Sequence, residues 1–214
     1  MITRSCIVTV VLCAVVASAS TAQGVSVPIW VAATANEFGG PEPDVFTLTY
    51  SCDCDIRILQ VIYDLSFSAG QLYFNTAGTG GYDFEALPDA FWATPATTCS
   101  LGSHLSADGS QQLVVQFTDF QPSELLAFAI DVDGPLSTTW TPAQMAGAYM
   151  GIVFDPRPAF PGSLPVGVVY HFVDLDGQSV ATAINNVQVP EPATLALVGL
   201  GSLAALAGRR RRRR

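Results

Sequence analysis

The sequence predicts an all-β fold, an antiparallel β-sandwich of about eight or nine strands. Three features predict it. Apolar residues recur with a period of two in several separate runs, turn-forming pairs punctuate those runs, and helical patterning is nearly absent.

The strands follow in chain order. Residues 25–32 and 45–51 are apolar and β-branched runs, separated by the turn signal Gly39-Gly40-Pro41. Leu59, Val61, Tyr63, Leu65 and Phe67 alternate with Gln60, Asp64 and Ser66, which predicts one face in a core and one in water. Residues 71–74 form a short candidate strand before Gly78-Thr79-Gly80-Gly81. From Tyr82 to Ser110 the periodicity is weak, and this stretch reads as a long loop or insertion. Residues 113–120 are a strand candidate, and Leu126, Phe128, Ile130 and Val132 alternate again before Asp133-Gly134. Thr141-Pro142 predicts one short helical turn, with threonine as cap and proline in the first helical position. Residues 150–154, the alternating Val166, Val168, Tyr170 and Phe172, and residues 179–187 complete the set, the last after Asp176-Gly177.

The two ends of the chain do not belong to this fold. Arg4 precedes an uncharged, mostly apolar run of eleven residues, 6–16, and then the small residues Ala17-Ser18-Ala19 and Ser20-Thr21-Ala22. That order predicts a signal peptide over residues 1–22, cut after Ala22 or alternatively after Ala19. Leu12 before Cys13 argues against a lipidated cysteine. The predicted ectodomain covers residues 23–188.

Residues 189–214 have three parts: Pro190-Glu191-Pro192, an uncharged apolar run over 193–208, and Arg209, Arg210, Arg211, Arg212, Arg213 and Arg214. A sixteen-residue helix spans about 24 Å against a hydrocarbon core of about 30 Å, short for a permanent membrane span and suited to a tilted or processed one. The arginines predict a cytoplasmic end and place everything before Pro190 outside, as the signal peptide does independently. The prolines forbid helix at the triplet and keep it extended, accessible to a processing enzyme. The plainer alternative is an ordinary single-pass transmembrane helix with a basic stop-transfer cluster.

This tripartite tail resembles the PEP-CTERM sorting signal of Gram-negative bacteria, on Pro190, Glu191, Pro192, the apolar run and the arginine cluster. The resemblance implies recognition by a membrane-embedded exosortase, with the Pro-Glu-Pro residues as substrate elements. It also implies export alongside extracellular polysaccharide or biofilm matrix. The partners expected are the secretion machinery, the exosortase, the membrane through the tail helix, and polysaccharide. Residues 113–134 are loosely similar to a strand–turn–strand hairpin of exported bacterial β-sandwich domains, which implies fold and carries no activity.

Charge narrows the function of the ectodomain. Between residues 23 and 189 there are 17 Asp and Glu side chains against Arg57 and Arg157, a net charge of −15, and lysine is absent from the chain. Such a surface repels nucleic acid and anionic lipid; it favours solubility or attracts divalent cations.

Cys52, Cys54 and Cys99 stay in the mature chain, in an oxidising compartment. They allow one disulfide. The expected bridge joins Cys99 to Cys52 or Cys54, closing a loop of roughly 45 residues with a chain-entropy gain of about 4 kcal/mol. A Cys52–Cys54 bond would be strained in an extended strand. Three thiols with two distant histidines, His104 and His171, do not make a four-ligand zinc site.

Asp131-Val132-Asp133-Gly134 and Asp174-Leu175-Asp176-Gly177 share one pattern. Carboxylates two apart on a strand face the same side, so the two segments are candidates for a calcium ion shared between loops. Neither has EF-hand spacing, and the plainer reading is a strand ending in an Asp-Gly turn. Gly177-Gln178-Ser179-Val180-Ala181 lacks the last glycine of a nucleophile elbow, so no catalytic residues are expected. Trp30, Trp92 and Trp140, with Tyr82, Phe84 and Phe91, are candidates for stacking on sugar rings or for core packing, Trp92 foremost for the sugar. The expectation is a non-enzymatic protein of the envelope or matrix, structural or adhesive. A carbohydrate-binding module is the alternative and a secreted hydrolase the third reading.

Overall fold

The structure is a computed structural model that describes residues 24–37, 42–77, 81–87 and 96–190. The predicted signal peptide, Trp92, Phe91, Glu191, Pro192, the apolar run and the arginine cluster lie outside the described residues.

Two antiparallel sheets form the predicted sandwich. One is built from β1 (Gly24–Asn36), β2 (Asp44–Ser51), β4 (Tyr73–Asn75), β5 (Glu85–Ala86), β8 (Leu125–Asp133), β11 (Val173–Leu175) and β12 (Gln178–Pro190), in the order β11-β12-β1-β2-β8-β4 with β5 also on β8. The other contains β3 (Arg57–Asp64), β6 (Ser100–Leu105), β7 (Gln112–Asp119), β9 (Tyr149–Asp155) and β10 (Val166–His171), in the order β10-β9-β3-β7-β6. The predicted helical turn is α1 (Pro142–Met145), with a capping box in which Thr141 and Gln144 satisfy each other's backbone amides.

The core lies between the sheets. Phe46, Leu48, Phe128, Ile130 and Val132 of the first sheet meet Ile58, Val61, Tyr63, Leu113, Val115, Met150, Ile152 and Phe154 of the second. Phe46 stacks on Phe128 at 5.1 Å between centroids, and Tyr63 meets both rings edge-on at 5.5 and 5.4 Å. Offset and edge-to-face pairs of this kind add to what area burial alone contributes.

Four expectations change. Twelve strands occur among the described residues, because the region read as a loop, 82–110, contains β5 and β6, and the short β11 follows β10. In β6 most side chains are exposed, so its sequence, Ser100-Leu101-Gly102-Ser103-His104-Leu105, has no apolar alternation to betray it. The phase of β3 also differs: a bulge between Ile58 and Gln60 puts Ile58 in the core in place of Leu59. The strand ends at Asp64, and Phe67 is 66% exposed. Asp64 is buried, where alternation predicted a solvated side chain; Gln112, Tyr149 and the Ser66 amide all donate to it. Finally, residues 113–134 are not a hairpin. β7 and β8 lie in different sheets, and buried Phe120 turns the corner between them.

Among the described residues no helix is long and apolar enough to cross a membrane.

Candidate functional site

β1 and β12 bring the chain ends of the sandwich together. They pair along their whole length, and the ladder closes with Gly24 opposite Pro190. The ladder reaches this far because Val187 and Val189 are buried, as is Val27 on β1. β2 stops at Ser51 opposite Trp30, so the first part of β1 has one open edge. Pro28, which has no amide to donate, sits in that part, where a strand tolerates proline. Pro190, also without a donor, is the last residue of β12. Of the predicted sorting motif, Pro190 is thus the end of a core strand, and Glu191 follows directly in sequence with no spacer.

The first Asp-x-Asp-Gly segment is buried. Asp131 and Asp133 lie on the outer face of β8, opposite Asn75 and Tyr73 of β4. Asn75 donates to Asp133 at 2.8 Å and also to Asp131. Burial, then Asp133 and Glu37, push Asp131 up to about 7. Asp133 is 5% exposed, and its second carboxylate oxygen, Oδ1, has no partner.

On the inner side of the same sheet Asp44 is 2% exposed. It accepts from the Val132 amide at 2.8 Å and from the Trp140 indole at 3.0 Å, and it hydrogen-bonds to Glu37. Burial, reinforced by Glu37, holds its carboxyl far above the ordinary carboxylate range, so it keeps its proton at neutral pH. Glu37 also receives the Trp140 amide at 3.1 Å. Nothing in the sequence pairs residues 44 and 140; β2 and β8 lie side by side in one sheet, and the segment after β8 carries Trp140 onto Asp44.

The second segment is a hairpin turn. Asp176 and Gly177 have φ of 52° and 80°, the signature of a two-residue type I′ turn between β11 and β12. Asp174 accepts the Gly177 amide. In the sheet order β1 and β2 stand between this hairpin and β8. The two segments are therefore not brought together. Among the described residues no group of three or more His, Cys, Asp or Glu is arranged to hold a metal ion.

Ser179, the serine of the elbow-like run, is fully buried in β12, and its hydroxyl has no hydrogen-bond partner. It lines a shallow depression of about 260 Å³ with Glu37, Trp140, Thr141 and Gln178, where no histidine is present. His171 is exposed; His104 lies on β6, stacked on Phe84 at 4.4 Å.

Of the aromatics, Trp140 and Phe84 are buried, so they pack rather than face a ligand. Trp30 is 44% exposed on the outer face of β1. It edges a depression of about 260 Å³ lined by Ala32, Thr49, Tyr50, Ser51 and Ser123.

The three cysteines are free thiols. Cys99 is buried in the core; Cys52 and Cys54 are half-buried just after β2, with 3.8 Å between sulfurs.

The family of the PEP-CTERM protein-sorting motif matches residues 188–213. The chain carries that motif, and its first three residues, Gln188, Val189 and Pro190, are part of β12. No curated protein and no solved structure matches the chain.

Proposed function

We propose that this is a non-enzymatic protein of the cell envelope or extracellular matrix, delivered by exosortase-dependent sorting, whose sandwich has a structural or adhesive role. The motif at 188–213 supports export and membrane-associated sorting at the envelope. The observation that carries the reading is the junction of motif and fold, with Gly24 paired to Pro190. Removal of a signal peptide and of a tail would leave a domain whose two ends meet at the end of the β1–β12 ladder. The net charge of −15 over residues 23–189 keeps such a domain soluble once displayed.

Localisation of an internally tagged chain tests this, with and without Arg209–Arg214. The full chain should reach the envelope or medium in processed form, and the truncation should lose that processing. Intact full-length chain in the cytosol would overturn it.

A second reading, a carbohydrate-binding module, draws on Trp30. Its exposed indole beside Thr49, Ser51 and Ser123 combines a flat apolar face with hydroxyls, the surface a pyranose ring stacks on. Titration with polysaccharide should then quench tryptophan fluorescence, and Trp30→Ala or Trp92→Ala should remove the response. Unchanged fluorescence with every glycan would leave the structural role.

A further inference from the structure

β2 ends at Ser51 and β3 begins at Arg57 in the opposite sheet, so residues 52–56 form a corner between the two layers. Tyr50 holds this corner, its hydroxyl lying 2.7 Å from the Ile56 carbonyl and 2.9 Å from that of Phe120. Ile56 in turn donates its amide to the Cys54 carbonyl at 2.9 Å. The chain bends at Asp53 and Cys54. In an extended strand, side chains two apart point the same way but stay too distant for a bond. The bend removes that obstacle: the sulfurs of Cys52 and Cys54 are 3.8 Å apart, and the Cys54 thiol is directed at Cys52. Both are half-buried, within reach of small solutes. Cys99 differs in its burial: it is 8% exposed and packed in the core.

We propose that Cys52 and Cys54 are a redox-active dithiol that closes into a local disulfide at the β2–β3 corner, leaving Cys99 a buried free thiol. The oxidant is a small-molecule disulfide of the glutathione class. Cys52 attacks as thiolate, one glutathione leaves as its thiolate and takes up the proton Cys52 gave, and a mixed disulfide forms. Cys54 then loses its proton and attacks the Cys52 sulfur; the second glutathione leaves and is protonated. The protein loses two protons and two electrons in all, and the glutathione disulfide becomes two thiols. The order follows from environment. Burial and the neighbouring Cys52 hold the Cys54 thiol well above its usual range, and bonding Cys52 to glutathione removes the charge that opposes ionisation of Cys54. A ring this short removes little chain entropy from the unfolded state, so the bond responds to the ambient thiol poise instead of stapling the fold.

The test equilibrates the purified exported domain with excess oxidised glutathione, denatures it, alkylates with a maleimide and maps the peptides. The expected result is one alkylated thiol per chain, at Cys99, with the peptide holding Cys52 and Cys54 lighter by two hydrogen atoms and restored by reductant. Cys99→Ser should still give the lighter peptide, and Cys52→Ser should not. Cross-linking of Cys99 to either partner, three alkylated thiols, or glutathione persisting on Cys52 would each overturn the proposal.

Discussion

Asp44 shows how a single residue sets a property that no motif announces. It and Asp131 retain protons in the fold that the unfolded chain releases near the ordinary carboxylate value of 3.8. Below that value both states are protonated and stability is unaffected. As pH rises the unfolded chain ionises first, so stability falls, up to about 7 for Asp131 and beyond it for Asp44. Asp64 and Asp155 act in the opposite sense. Burial alone would raise Asp64, but hydrogen bonds from Ser66, Tyr149 and Gln112 outweigh it; the Arg157 hydrogen bond lowers Asp155. Their contribution is lost as pH falls below the carboxylate range. Melting temperature should therefore decline from about pH 5 to pH 8. Asp44→Asn keeps an acceptor for the Trp140 indole and should flatten that decline. A slope identical to wild type would show that the proton is held elsewhere.

Tyr50 makes the second argument at this scale. Tyr50→Phe removes the hydroxyl between the Ile56 and Phe120 carbonyls; Phe120 keeps the Ile58 amide, and the Ile56 carbonyl loses its hydroxyl donor. The expected cost is about 1–3 kcal/mol, read from the denaturant midpoint at unchanged slope. For metal, Asn75 already bridges Asp131 and Asp133, so the melting temperature should be the same in calcium and in chelator.

At the level of elements, legibility depended on whether a strand had one wet face. β7 and β10 alternate and were readable within a residue or so. β8 alternated as expected on the core side, but its other face is buried too: Ala127 and Ala129 lie under Leu87 and Tyr82. Alanine there leaves room for the 82–87 segment, a packing relation that no local pattern encodes. Ala127→Leu should overfill that contact and cost about 1–3 kcal/mol, measured by thermal or denaturant unfolding. β6 was invisible because an exposed edge strand has no hydrophobic signal to give. The β3 bulge was missed because a phase slip of one residue leaves the alternation intact on either side. The candidate sites divide in the same way. The Asp176-Gly177 turn was legible from two residues, whereas the joining of Glu37, Asp44 and Trp140 required the whole topology.

At the scale of the whole molecule, fold and sorting motif share residues. The motif begins at Gln188, yet β12 runs to Pro190 and Val189 is buried at 1% exposure. An enzyme that grips the Pro-Glu-Pro in extended form meets, immediately before it, a chain fixed in a ladder and anchored by a core side chain. Engagement then requires either that the end of β12 frays from β1 or that the enzyme closes on residues beyond Pro190. Fraying costs the burial of Val187 and Val189, so the folded sandwich should slow processing and the unfolded chain should not. A flexible Gly-Ser spacer of about four residues inserted between Val189 and Pro190 lengthens the reach, keeps the Pro-Glu-Pro whole and leaves the buried Val189 in place. Such an insertion should speed tail removal several-fold in a pulse–chase experiment while the melting temperature stays within error of wild type. Val189→Ala should also speed processing, but only alongside a lower melting temperature, since it acts by loosening the ladder. If the spacer leaves the rate unchanged, the enzyme acts entirely beyond the strand, and the shared residues are a boundary of the fold with no bearing on sorting.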